Sequence, residues 1–193
     1  MRVLLTGSSG WLGRFLAPML RAAGHGVTGL DLALAPTTDY AGSISDRALV
    51  DRILGTHGIE AIIHAAALHK PDIARYPAQA FIDVNMGGTL TLLQAAVAAG
   101  HDRFLFTSTT SLMISQVIRD EAASHAVWLD ESSTPLEPRN IYGVTKLGAE
   151  GLCRLFAAEH GLACTALRTA RFFPEDDDTI TSLTGPTLRR MSF

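Results

Sequence analysis

A chain of 193 residues is long enough for one α/β domain with a sizeable core and short for two. With 47% hydrophobic and 18% charged residues it has the make-up of an ordinary soluble globule. A net charge of −3 gives no basic footprint for nucleic acid or an anionic membrane, so neither is expected as a partner.

No apolar run approaches the roughly 18 residues needed to cross a bilayer. The opening "MRVLLTG" is too short an apolar stretch for a signal peptide. Cys153 and Cys164 lack a metal-site spacing and are too few for a disulfide framework, so they read as buried thiols. No metal is expected, and a reducing cytoplasm is the expected compartment.

In chain order, short apolar runs alternate with longer segments of helical period. "RVLLTG" reads as a strand and is followed by a helix from about Trp11 to Ala23, with Gly24 as its stop. Between them, "LLTGSSGWLG" spaces Gly7, Gly10 and Gly13 three apart. Gly7 allows the tight turn out of the strand, Gly10 lets backbone approach a pyrophosphate, and Gly13 lets the helix pack closely. The helix N-terminus near Trp11 then offers N–H groups and a favourable dipole to an anion. Ser9 and Leu12 complete the candidate cofactor loop, which is neither G-x-G-x-x-G nor a P-loop.

"HGVTGLDL" reads as the second strand and ends on Asp31. A carboxylate there can accept hydrogen bonds from a ribose diol and would repel a 2′-phosphate. No arginine stands beside it, since Leu32 and Ala33 follow, so NAD is favoured over NADP. "SDRALVDRILGTHG" reads as a helix, "EAIIHAAA" as a strand, Pro77–Ala99 as one long helix and "RFLFTS" as a strand. The stretch 129–139 reads as a loop, Asn140 opens a helix to about His160, and "LACTALRTA" supplies a last strand. Alternation of continuous apolar strands with helices implies an α/β fold, a doubly wound parallel sheet with helices on both faces. Tyr142 and Lys146, at i and i+4, fall one turn apart on one helix face, where an ammonium would lower the tyrosine pKa for acid/base work. Lys146 is one of only two lysines in the chain.

These residues resemble the extended short-chain dehydrogenase/reductase family, in its NAD-dependent epimerase/dehydratase branch. The likeness is carried by "TGSSGWLG", Asp31, "HAAA" at 64–67, "DVNMGGTLTLLQAAVAAGHDRFLFTST" and "YGVTK", and runs from residue 2 to about residue 174. It implies a Rossmann-type domain over 1–174 and a Ser/Thr–Tyr–Lys triad, usually acting on nucleotide-activated sugars. Tyr142 would be the acid/base, and Lys146 would hold the nicotinamide ribose. Thr109 would be the hydroxyl member and would face substrate, with Ser108 and Thr110 as alternatives and Thr107 near the cofactor. His64, Ala65, Ala66 and Ala67 would line the adenosine and ribose side, and Asn85 would hydrogen-bond near the site. His69 and Lys70 match nothing and read as surface groups.

The chain also departs from the pattern. Ser43-Ile44 stands where the family often has an aspartate and an aliphatic residue against adenine. Leu112-Met113-Ile114 replaces a frequent Val-Tyr-Gly, and Arg171 falls where an asparagine often meets the sugar nucleotide. The acidic run 175–178 reads as a solvated loop within an irregular tail, 175–193, and the substrate domain is expected to be largely absent. An uncovered sheet edge would favour a homodimer. The expected function is therefore NAD-dependent hydride transfer on a small molecule, as oxidoreductase, epimerase or dehydratase. A non-catalytic NAD(H)-binding module is the alternative.

Overall fold

A computed structural model of the chain describes residues 1–116, 118 and 127–170. Its strands are β1 (Arg2–Thr6), β2 (Gly26–Asp31), β3 (Tyr40–Ala41), β4 (Ala61–His64), β5 (Arg103–Thr109) and β6 (Ala163–Thr169). They form one parallel sheet in the order β3-β2-β1-β4-β5-β6. The helices are α1 (Trp11–Ala22), α2 (Arg47–His57), α3 (Ala78–Phe81), α4 (Gly88–Ala98) and α5 (Ile141–His160). This is the doubly wound α/β sheet the strand–helix alternation predicts. The chain builds outward from β1 in one direction, then returns to β4 and builds the other way. The reversal leaves a crevice beyond the carboxyl ends of β1 and β4, where Thr6 pairs with His64.

The strands are apolar because both faces are covered. Leu4, Leu5, Leu30 and Ile62 are fully buried, with Phe104 and Phe106 of β5 almost so. Helix ends follow their local chemistry. The Asp46 carboxylate accepts from the Leu49 N–H to cap α2, and Asn140 accepts from the Gly143 N–H to cap α5. Gly58 and Gly161 end the same two helices in the left-handed conformation.

Three features depart from the sequence reading. β3 is an additional edge strand of only two residues, held by pairing to Leu30 and Asp31 and too short to leave a periodic pattern. The helix expected over 77–99 is interrupted by a π-helical turn, Ile82–Gly87, which places the polar Asn85 inside the protein, 2% exposed. The stretch Ala78–Ala98 reaches a mean hydropathy of 1.2, enough by length and composition to cross a membrane. Its Phe81, Leu92, Leu93, Ala95 and Ala96 are nevertheless packed into the core, as in a central helix of a sheet domain. β6 is more open: Ala163, Thr165, Ala166 and Leu167 are exposed. Arg171, the expected boundary at 174, the acidic run and the tail lie outside the described residues.

Candidate functional site

The turn from β1 into α1 is built from backbone pressed against backbone. Gly7 takes φ +73°, and a Cβ there would lie 2.7 Å from the Ala66 nitrogen. A Cβ on Gly13 would collide with the Gly7 carbonyl and with Ser8, so Gly13 packs the helix on the loop itself rather than on the strand. No side chain caps α1, whose N-cap is Gly10, whereas α2 and α5 are both capped by side chains. The first N–H groups of α1 are therefore left without a side-chain partner at the mouth of the crevice. Gly7, Ser9, Gly10, Trp11 and Leu12 line one cleft of about 860 Å³ there.

One arm of the cleft runs to the end of β2. The Asp31 carboxylate accepts from the Ser9 N–H at 2.9 Å, so the acidic group and the glycine loop are fixed to each other. Leu32, Ser43 and Ile44 continue this wall, with Leu32 largely exposed and Ile44 buried. Ala65, Ala66 and Ala67 line the centre of the cleft.

His64 and Asn85 stand behind this wall and do not line it. His64 is 1% exposed, with Nδ1 2.8 Å from the Thr6 hydroxyl and Nε2 2.9 Å from the Thr89 hydroxyl. The Thr89 hydroxyl donates to the Asn85 carbonyl, so it accepts from His64 Nε2–H, and Nδ1 accepts from Thr6. The neutral ring is thereby fixed as one tautomer, and burial and the Lys146 charge push its pKa down to about 3. The Asn85 amide closes the network by bonding the Leu68 backbone at both N–H and C=O and the Thr145 hydroxyl. These two side chains hold the cleft wall against the start of α5.

The other arm of the cleft ends at Thr107, Thr109, Tyr142 and Lys146. The Thr109 hydroxyl donates to Ser111 at 3.0 Å and stands beside the Tyr142 phenol, whose pKa it lowers. Ser108 instead donates to Glu150 at 2.6 Å, while Thr110 donates to the Thr169 carbonyl. Of the three candidate hydroxyls, Thr109 is therefore the one that meets the phenol. Lys146 Nζ donates to the Thr107 carbonyl at 2.7 Å and lies 4.7 Å from the centre of the Phe106 ring.

The electrostatics correct the expected role of the lysine. Burial pushes the Tyr142 phenol above its ordinary value, and the counter-pull comes from the Thr109 hydroxyl rather than from the ammonium. Burial acts on Lys146 still more strongly and brings it down to about 7. A buried cation and a buried phenol thus share one face, and the cation bears more of the desolvation cost.

His69, expected at the surface, is exposed and also lines the cleft. Its ring is 5.6 Å from that of Tyr142, at 31°, and its pKa is lowered by burial and by Lys146. Lys70 lines the same rim. No motif contains these residues; the signal was their position in the loop leaving β4 at the sheet's reversal. Cys153 and Cys164, read as buried, are free thiols, with Cys153 buried and Cys164 only half-buried.

Residues 3–191 match the family described as NAD dependent epimerase/dehydratase. The L-arabinose 1-dehydrogenase (NAD(P)(+)) of Haloferax volcanii is 31% identical over 188 residues, covering 91% of this chain and 69% of that enzyme. The UDP-glucose 4-epimerase of Rhizobium meliloti is 32% identical over 173 residues, covering 86% of this chain and 50% of the epimerase. A solved structure of the Thermus thermophilus UDP-glucose 4-epimerase in complex with NAD superposes with a TM-score of 0.74 at 26% identity. The match covers 87% of this chain and 54% of that one. The chain thus spans about half the length of the epimerases it resembles.

Proposed function

Because this chain belongs to the NAD dependent epimerase/dehydratase family, we propose that its cleft binds NAD and that Tyr142 exchanges a proton with a substrate hydroxyl or carbonyl during hydride transfer. One observation carries this reading: a single cleft joins the Gly7–Gly13 loop and Asp31 to Thr109, Tyr142 and Lys146. The residues present fit the cofactor. A pyrophosphate matches the uncapped N-terminus of α1, and an unphosphorylated ribose matches the Asp31 carboxylate. Bound NAD would supply the hydride acceptor or donor.

The protein's own groups would do the rest. With its pKa raised, Tyr142 is a neutral phenol at pH 7, ready to give a proton to a carbonyl oxygen. Taking a proton from an alcohol needs the phenolate, which the neighbouring Thr109 hydroxyl favours. Lys146 spends one proton on the Thr107 carbonyl and has others to offer the nicotinamide ribose. Asn85 and His64 serve as supports of the cleft wall. The relatives named above act on a sugar or a nucleotide-linked sugar, and the substrate proposed here is of that class, with Arg171 a candidate contact. Epimerisation, dehydration and alcohol oxidation share the first proton and hydride transfer. The compartment proposed is the cytoplasm, where Cys153 and Cys164 stay reduced.

Tyr142 beside the Thr109 hydroxyl and the buried Lys146 favour turnover over mere holding of NAD, since a binding module needs no such pair. Tyr142→Phe should lower turnover by about 100-fold or more while leaving NAD+ affinity nearly unchanged. Full activity in that variant would contradict the mechanism.

A further inference from the structure

One buried acid is left unexplained by the cleft. Glu150 lies on α5 four residues after Lys146 and eight after Tyr142, so the three share one side of the helix. It is 2% exposed, and both of its oxygens are taken. Oε1 accepts from the Ser108 hydroxyl at 2.6 Å and from Arg168 Nε at 2.9 Å. Oε2 accepts from Arg168 Nη2 at 2.8 Å, with Arg154 at 3.7 Å. Burial pulls the carboxyl upward in pKa, but the Arg168 and Ser108 bonds and the two arginine charges outweigh it and hold it ionised.

The contacts have an order. Three consecutive residues at the end of β5 are stitched to three residues a turn apart on α5. The Thr107 carbonyl accepts from Lys146, the Ser108 hydroxyl donates to Glu150, and the Thr109 hydroxyl meets Tyr142. Arg168, in register with Ser108, ties β6 into the same knot. Without the middle stitch, Ser108 keeps its ladder to β6 and the Thr169 hydroxyl on its carbonyl, but loses its side-chain tie to α5.

Charge points the same way. The titratable groups around Lys146 are Tyr142, Glu150, Cys153 and Arg154 on α5, His64 at the end of β4, and His69 in the loop after it. Cys164 and Arg168 of β6 complete the set among the described residues. Burial lowers the lysine, and Cys153 and Glu150 pull it back up. The Cys153 thiol is itself pushed up by the neighbouring Cys164 and by burial, so it is uncharged near neutrality. Glu150 is then the anion that opposes the buried ammonium.

We propose that Glu150 is the positioning residue of this site, locking the end of β5 against α5 and supplying the negative charge that keeps Lys146 protonated. The proposal rests on Tyr142 and Lys146 being the reacting pair, but its test needs neither cofactor nor substrate. With only two lysines in the chain, ¹³Cε-lysine labelling gives two resonances, and Lys70→Arg assigns them. In Glu150→Gln the titration midpoint of Lys146 should fall by roughly one unit or more, with Lys70 unmoved. Glu150→Asp should restore part of the shift. Arg168→Gln, which removes the competing cation and serves if Glu150→Gln does not fold, should move the midpoint the other way. A Lys146 midpoint that stays put in folded Glu150→Gln, or that stays put or falls in Arg168→Gln, overturns the proposal. Calorimetry with NAD+ on the same samples tests the cofactor reading separately, so the two can fail independently.

Discussion

Asp31 and His64 show how single residues divide the work between recognition and support. The Asp31 carboxylate faces the cleft and holds the loop through Ser9. Asp31→Asn keeps the shape but removes the charge, so NAD+ affinity should fall about tenfold or more, with narrower discrimination against NADP+. Equal affinities for wild type and variant by calorimetry would detach Asp31 from recognition. His64 acts on stability instead. Its folded pKa of about 3 lies below the unfolded value of 6.5, so the unfolded chain gains a proton first as pH falls. The contribution is fully present above pH 6.5 and is lost as pH drops toward 3. Between pH 7 and 5 this amounts to about 2 kcal/mol. Urea unfolding of His64→Gln should show a shallower loss over that range than wild type, and parallel curves would contradict the assignment. Asp31, Tyr142 and Lys146 were legible in the sequence because strand ends and helical spacing encode where they face. His69, Ser108 and Glu150 were not, because their partners come from other elements: Tyr142 for His69, and β5, α5 and β6 for the other two.

Among the elements, α1 matters most for the site, because its start is shaped by what is absent. A methyl on Gly13 has no room against the Gly7 carbonyl and Ser8. Gly13→Ala should therefore cost roughly 1–3 kcal/mol and weaken NAD+ binding by distorting the loop. An unchanged denaturation midpoint with unchanged affinity would show that the loop yields freely. Asp46→Ala is the matched control, removing the cap of α2 away from the cleft. It should cost about 1 kcal/mol and leave NAD+ affinity alone. The glycine spacing tells the loop apart from an ordinary turn. The π-helical turn at Ile82–Gly87 left no such trace. A helical pattern of apolar residues runs through it, and only the buried bonds of Asn85 to Leu68 and Thr145 show what the extra residue accomplishes.

For the whole molecule, the strand order follows from the alternation of elements, and the order alone puts the crevice beside β1 and β4. Less legible was how unevenly the sheet is covered. β1 and β4 are enclosed, while β6 leaves Ala163, Thr165, Ala166 and Leu167 exposed among the described residues. A homodimer over that side is our proposal, and light scattering at micromolar concentration checks it: a mass near twice 20.6 kDa supports it and a monomer contradicts it. The account as a whole stands on the cleft being a working NAD site within these 193 residues. The most direct measurement is calorimetric titration of the chain with NAD+ and, in parallel, NADP+. Saturable binding that favours NAD+ is the predicted result. Binding of neither nucleotide, or a preference for NADP+, would contradict it.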